Sequence, residues 1–317
     1  MHEFSGKTVL VTGGTGGIGG AVAVAFAKAG AEVIAAGWGE AELAARRASC
    51  PRRRRSRCRF QNMSDGMSEQ GDVVFSGEHL RATMFNGEAS RLLITFSFRE
   101  AGRKDFNPAQ MSYSAQKRGF AQLCIATRRN DWFINNDTYA LENTLKTLCP
   151  HYETVHMMGF SMGGYGAFRF ARAARANYAL AVSPQFSIHP DVMPFDKRFH
   201  HDATGFDKAL GDLVTYAKPG LQGVIVADPF RPLDLVNAQM IQEVFPRVKL
   251  ARLGFGGHPA TALLRRAGQS GVVQKMALEC PPQPEPIIAT HREARLDDAE
   301  YMRDLLDRMD KRAPSAH

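Results

Sequence analysis

Cysteine is scarce in this chain of 317 residues. There are five, Cys50, Cys58, Cys124, Cys149 and Cys280, odd in number and scattered. No pair has metal-ligand spacing and no even framework suggests disulfides, so the expectation is a cytoplasmic protein without a structural metal. Long apolar runs are also missing. None approaches the roughly 20 residues that span a bilayer, so no membrane span is expected. The first residues lack a basic region followed by an apolar core, which argues against a secretory signal. Acidic residues are absent from one stretch, residues 46–59, which holds eight arginines. Removing those eight from the 40 basic residues leaves 32 against 32 acidic ones, so the net charge of +8 belongs to this stretch alone. No aromatic interleaves with it and no reader motif accompanies it. It therefore reads as a solvated linker, and no specific nucleic-acid partner is expected.

What remains is ordinary for a folded protein, with 44% hydrophobic and 23% charged residues. From Asp72 onward the pattern becomes continuous. Strand-like apolar runs occur at 72–76, 80–85, 92–97, 122–127, 154–159, 178–183, 223–228 and 248–253. Helical patterns separate the later runs, at 108–120, 139–148, 162–174, 208–217 and 235–245. Strands alternating with helices imply an α/β fold, a doubly wound, mostly parallel eight-stranded sheet with a hairpin-like entry. "PPQPEP" at 281–286 reads as a stiff linker, and a C-terminal amphipathic helix is expected near 296–312.

After the fifth of these runs comes "HMMGFSMGGYGAF", in which Gly159 to Gly163 fit Gly-x-Ser-x-Gly. A nucleophilic serine needs a sharp strand-to-helix turn. Glycines remove side chains that would collide there, and the amide of the next residue, Met162, faces a developing oxyanion. With its strand before and small-residue helix behind, the segment resembles the α/β-hydrolase superfamily over residues 72 to about 270. The resemblance implies a nucleophile after the fifth strand, Ser161, an acid after the seventh, and a histidine after the eighth, His258. Two aspartates compete for the acid. Asp234 lies just before a helix and is preferred, and Asp228, followed at once by Pro229, is the alternative. The second oxyanion donor is expected after the third strand, near Ser97 or Phe98. "RRNDWF", "GFSMGGYGA" and "SPQFSI" are similar to bacterial hydrolases found with polysaccharide and glycosyltransferase systems, which implies an ester or acylated glycan substrate. Trp132 and Phe133 either line the pocket or pack in the core. His156 reads as a packed residue, and His200 and His201 as members of a polar loop.

The first 47 residues follow a different pattern. "TVLVTGGTGGIGG" runs from a strand into a glycine turn and a helix, and a second strand follows, giving a βαβ fragment of Rossmann type. Thr12 to Gly19 resemble the turn of short-chain dehydrogenases/reductases, with Gly13, Gly17 and Gly19 as cofactor-binding positions for NAD or NADP if the fragment is functional. Such a turn places pyrophosphate at a helix N-terminus. The remaining units of that fold cannot be found. Tyr113 and Lys117 have the family's Tyr-x-x-x-Lys spacing but stand too near the turn, and read as an ordinary helix face. The expected organisation is a truncated dinucleotide-binding fragment (1–47), a linker or junction (48–71), a hydrolase domain (72–280) and a tail (281–317). The expected function is a cofactor-free serine esterase. A short-chain dehydrogenase and a non-catalytic module on the hydrolase fold are the rivals.

Overall fold

The computed structural model describes Phe4 and residues 7–12, 17–37, 58–62 and 71–310. They fall into two compact units, Met1–Gln70 and Gly71–His317.

In the first unit, β1 (Thr8–Thr12) is followed by helix α1 (Gly17–Lys28) and then by β2 (Glu32–Gly37). The two strands pair in parallel from Thr8↔Glu32 to Thr12↔Ala36. A third strand, β3 (Cys58–Asn62), pairs in parallel with β2. It lies inside the stretch read from sequence as a linker. There the arginines hide the signal, because Cys58, Phe60 and Gln61 are too few to show a period among them. Val11, Ala23, Ala27, Ala31 and Val33 form the small core. Of the three turn glycines, Gly17 and Gly19 stand in the first turn of α1, and Gly13 lies outside the described residues.

The larger unit is built on eight strands: β4 (Asp72–Ser76), β5 (Leu80–Phe85), β6 (Arg91–Phe96), β7 (Ala121–Thr127), β8 (Thr154–Phe160), β9 (Tyr178–Val182), β10 (Gln222–Ala227) and β11 (Val248–Arg252). Their order across the sheet is β4-β5-β7-β6-β8-β9-β10-β11. β4 and β5 form an antiparallel hairpin, β5 runs antiparallel to β7, and every other pairing is parallel. This is the hairpin entry and doubly wound parallel core read from the sequence. The central parallel strands are largely apolar on both faces and are covered on both, by a large cluster around Ile94, Met157, Phe168 and Ile225 and a second around Leu180, Val226 and Leu253. Buried apolar area of this kind is the main favourable term in folding.

Two expected helices differ. Over 208–217 the chain makes turns rather than a helix, because side chains from elsewhere take its carbonyls. The Tyr165 hydroxyl donates to Gly211 O at 2.7 Å, Arg169 Nε to Leu210 O at 2.6 Å, and Arg172 to Thr215 O at 2.8 Å. The span 108–120 shrinks to α2 (Tyr113–Lys117), because Gln122 holds the preceding backbone extended, accepting from Ser112 N and donating to Gln110 O. α3 (Thr138–Leu148), α4 (Met162–Arg169) and α5 (Pro232–Val244) follow the sequence reading, α4 ending earlier than 174. Four further helices close the unit: α6 (Ala262–Arg266), α7 (Gly271–Ala277), α8 (Glu285–Ala294) and α9 (Ala299–Asp310). α8 begins within the proline stretch read as a linker, since Pro286 stands in its first turn, where no amide is needed. No described helix is long and apolar enough to cross a membrane.

His156 on β8 is fully buried, with Nδ1 2.8 Å from Ala277 O and its ring edge-on to Phe120 at 5.2 Å. Burial pushes its pKa down from 6.5 to about 4. The unfolded chain therefore binds a proton that the folded one does not, and stability is lost as pH falls from 6.5 towards about 4. Urea denaturation at pH 7 and pH 5 is expected to show the wild type losing about 2 kcal/mol more than His156→Gln over that interval. Equal losses would contradict the assignment.

Candidate active site

Ser161 sits where β8 turns into α4. Its backbone has φ 49° and ψ −117°, a conformation a side-chain-bearing residue rarely adopts. The turn is possible because of its neighbours. A Cβ at Gly159 would run into the carbonyl of Gly163, and one at Gly163 would stand 2.6 Å from Phe96 O. The Ser161 amide donates to Val182 O at 2.8 Å, tying the turn to β9. The side chain therefore projects from the carboxyl ends of the parallel strands, with the N-terminus of α4 directly behind it.

His258 lies in the loop after β11. Its Nε2 is 2.9 Å from Ser161 Oγ, and its Nδ1 is 2.9 Å from Asp234 Oδ2. Asp234, in the first turn of α5, is 1% exposed. Its other oxygen accepts from Arg198 Nη1 at 2.5 Å. Burial raises the Asp234 pKa, but the hydrogen bond and charge of His258 and those of Arg198 outweigh it, and the carboxyl is held below its ordinary value. Asp234 is thus an anion oriented on the imidazole.

Asp228 does different work. Its Oδ1 accepts from the amides of Phe230 and Phe255 at 2.9 and 3.1 Å, and its Oδ2 from Gly257 at 3.0 Å. It pins the loop that carries His258 and does not contact the ring. Burial raises its pKa, against the lowering effect of those three amides. The loop is fixed a second time by Ser183 Oγ, which accepts from Ala260 N at 3.0 Å.

Of the expected oxyanion positions, the Ser97 amide is engaged elsewhere, donating to Ile125 O at 2.9 Å as the sheet ladder continues. Among the described residues, the amides of Met162 and Phe98 have no hydrogen-bond partner. Trp132 and Phe133 are core residues, both with positive φ and both fully buried. Trp132 nevertheless reaches the site indirectly. Its indole Nε1 donates to Gln185 Oε1 at 3.1 Å, and Gln185 Nε2 donates to Ser183 O at 3.0 Å and to Ser161 Oγ at 3.4 Å. An indole N–H can only donate, so it fixes the orientation of the amide and turns the NH2 group towards the serine. A serine oxygen that accepts from Gln185 directs its own proton to His258.

Sequence reasoning missed three residues here: Gln185, Asp196 and Arg198. Gln185 lies in the "SPQFSI" segment that carried the family resemblance, so a signal existed. Asp196 and Arg198 gave none. Arg198 bridges Asp196 Oδ2 at 2.7 Å and Asp234, and Asn237 donates to the same Asp196 oxygen at 3.0 Å. His200 contacts Met193 O and His201 contacts Arg99, and neither reaches Ser161, His258 or Asp234.

A cavity of about 570 Å3 opens over Ser161 and His258, walled by Phe98, Phe160, Phe199 and Val273. Its size suits a small organic ligand. Neither Tyr113 nor Lys117 lines it. Among the described residues, no group of three or more His, Cys, Asp or Glu is placed to hold a metal ion.

The serine follows the fifth strand of this sheet, Asp234 the seventh and His258 the eighth. The larger unit has the α/β-hydrolase fold. Among solved structures, the chain is similar to the capsule O-acetyltransferase of Neisseria meningitidis serogroup A, at 16% identity and TM-score 0.43, covering 63% of this chain and 93% of that one. It is also similar to a putative thioesterase from Silicibacter sp., at 13% identity and TM-score 0.45, covering 72% and 87%. A serine hydrolase without lid from Xanthomonas campestris matches at 16% identity and TM-score 0.34, covering 63% and 96%. The family model described as short chain dehydrogenase matches residues 7–70, further than the 47 residues in which the resemblance was read and extending over β3. No curated protein matches.

The two aspartates of the α/β-hydrolase unit are separable by experiment. Asp234→Asn presents an amide to His258 and is expected to lower kcat on the order of a thousandfold with folding intact. Asp228→Asn replaces one acceptor oxygen and is expected to cost about 1–3 kcal/mol of stability, with a smaller loss of kcat. Ester-hydrolysis kinetics beside urea denaturation checks both, and the reverse pattern would make Asp228 the acid.

Proposed function

We propose that the larger unit is a serine hydrolase of the esterase type, working through Ser161, His258 and Asp234 without a cofactor. The observation that supports this most is the unbroken hydrogen-bond line from Ser161 Oγ through the His258 ring to Asp234, at the floor of an open cavity.

In this reading Ser161 Oγ attacks the ester carbonyl carbon while its proton passes to His258 Nε2. The carbonyl π electrons move to oxygen, and the amides of Met162 and Phe98 stabilise that oxyanion. Asp234 holds the imidazole in the required tautomer and stabilises its charged form. The oxyanion then collapses, the bond to the leaving alcohol breaks, and His258 returns the proton to the departing oxygen. Water, deprotonated by the same histidine, attacks the acyl-enzyme and regenerates the serine. The acyl group is taken to be that of a small-molecule ester or an acylated glycan. We assign the N-terminal glycine turn no part in this chemistry, because each step is supplied by residues of the larger unit.

Hydrolysis of a short-chain para-nitrophenyl ester tests the reading. Ser161→Ala and His258→Ala are each expected to lower kcat by about ten-thousandfold or more, and the double variant to be little worse, because the residues act as a unit. Additive losses, or activity retained in Ser161→Ala, would overturn it. Replacing Tyr113 by Phe and Lys117 by Ala together is expected to leave hydrolysis within a few-fold. Loss of hydrolysis in that folded double variant would assign the pair a role.

A further inference from the structure

The cavity over Ser161 carries charge of one sign. Arg99 and Arg265 line it, and no aspartate or glutamate does. The two arginines are not equivalent. The Arg99 guanidinium is held by Asp202, Nε to Oδ2 at 2.7 Å, and lies 2.9 Å from His201 Nε2. Arg265, on α6, is exposed, and among the described residues its guanidinium has no ion-pair or hydrogen-bond partner. Its neighbour Arg266 shows the contrast, being tied to Asp298 and Glu300 at 2.8 and 3.1 Å.

α6 follows the His258 loop directly, so Arg265 enters the cavity wall from the same segment of chain as His258. The walls beside it are apolar: Phe98, Phe160, Phe199 and Val273. Low-dielectric walls strengthen the field of a charge at their edge and raise the local concentration of its counter-ion. A guanidinium also offers a planar fork of donors that matches a carboxylate or phosphate. A mainly apolar chamber lined also by an arginine without a partner suits a molecule with an apolar body and a negative end.

Building on the serine-hydrolase reading, we infer that the substrate is an anionic ester, bearing a carboxylate or phosphate that Arg265 binds while the ester bond lies at Ser161. The charge sits on either the acyl or the alcohol side of that bond, and the experiment separates these cases.

Six phenyl esters serve as probes. Three vary the acyl side: the neutral para-nitrophenyl hexanoate, the para-nitrophenyl monoester of adipic acid, and para-nitrophenyl hexanoate with a terminal phosphate. Three vary the alcohol side: the hexanoates of para-hydroxybenzoic acid and of para-hydroxyphenyl phosphate, and, as their neutral partner, the hexanoate of methyl para-hydroxybenzoate. At least one anionic probe is expected to exceed its neutral partner in kcat/KM by about tenfold, chiefly through KM, and added salt should erode that advantage. In Arg265→Gln the ratio of anionic to neutral kcat/KM should fall towards one, and in Arg265→Glu it should fall below one. Which probe gains identifies carboxylate or phosphate, and acyl or alcohol side. The inference is overturned if no anionic probe gains, or if the ratio survives both substitutions. In either case neutral-ester hydrolysis that depends on Ser161 leaves the hydrolase reading standing. If no ester reacts and Ser161 takes up no phosphonate, that reading fails and this inference fails with it.

Discussion

The candidate site of the larger unit depends on one unfavourable turn. Ser161 is held at positive φ between a strand and a helix, at a cost of about 1–3 kcal/mol that the surrounding packing must offset. The backbone of β8, the first turn of α4 and the end of β6 approach so closely that no Cβ fits at Gly159 or Gly163. The return on this strain is geometric. The serine oxygen leaves the plane of the sheet and meets side chains brought by two other loops.

Those loops are held by polar contacts rather than by apolar packing alone. Asp228 gathers three amides and so fixes the loop of His258, and Asp234 fixes the ring itself. Behind Asp234 a polar chain runs through the half-buried Arg198 and the buried Asp196 to Asn237, which also accepts from Phe186 N at 2.6 Å. Breaking a buried charged chain at any member leaves an unpaired partner, which costs more than the pair contributes. Gln185, clamped by Trp132, adds a second hydrogen-bond partner for the serine oxygen. The two aspartates that compete in the sequence are therefore both accounted for, one by the ring and the other by the loop.

The strands of the larger unit were legible because parallel strands buried on both faces are continuous apolar runs, and "LLITFS" and "GVIVAD" need no period to be recognised. That Ser161, His258 and Asp234 stand together was legible because the motif and the chain order of the resemblance single them out. Residues 208–217 failed because their backbone is bound by Tyr165 and Arg169, which stand far off in sequence. Asp196 and Arg198 were invisible for a related reason. They lie in the irregular segment between β9 and β10, and nothing local marks a loop arginine as the partner of a distant aspartate. β3 was lost among arginines, where hydrophobic periodicity has nothing to act on.

In the function proposed above, Ser161 is a nucleophile activated by His258. The most direct measurement is intact-protein and peptide mass spectrometry after exposure to a fluorophosphonate. A single adduct is expected on the peptide containing Ser161, absent in Ser161→Ala and formed far more slowly in His258→Ala. No adduct on the folded wild type, or an adduct that persists in Ser161→Ala, would contradict it.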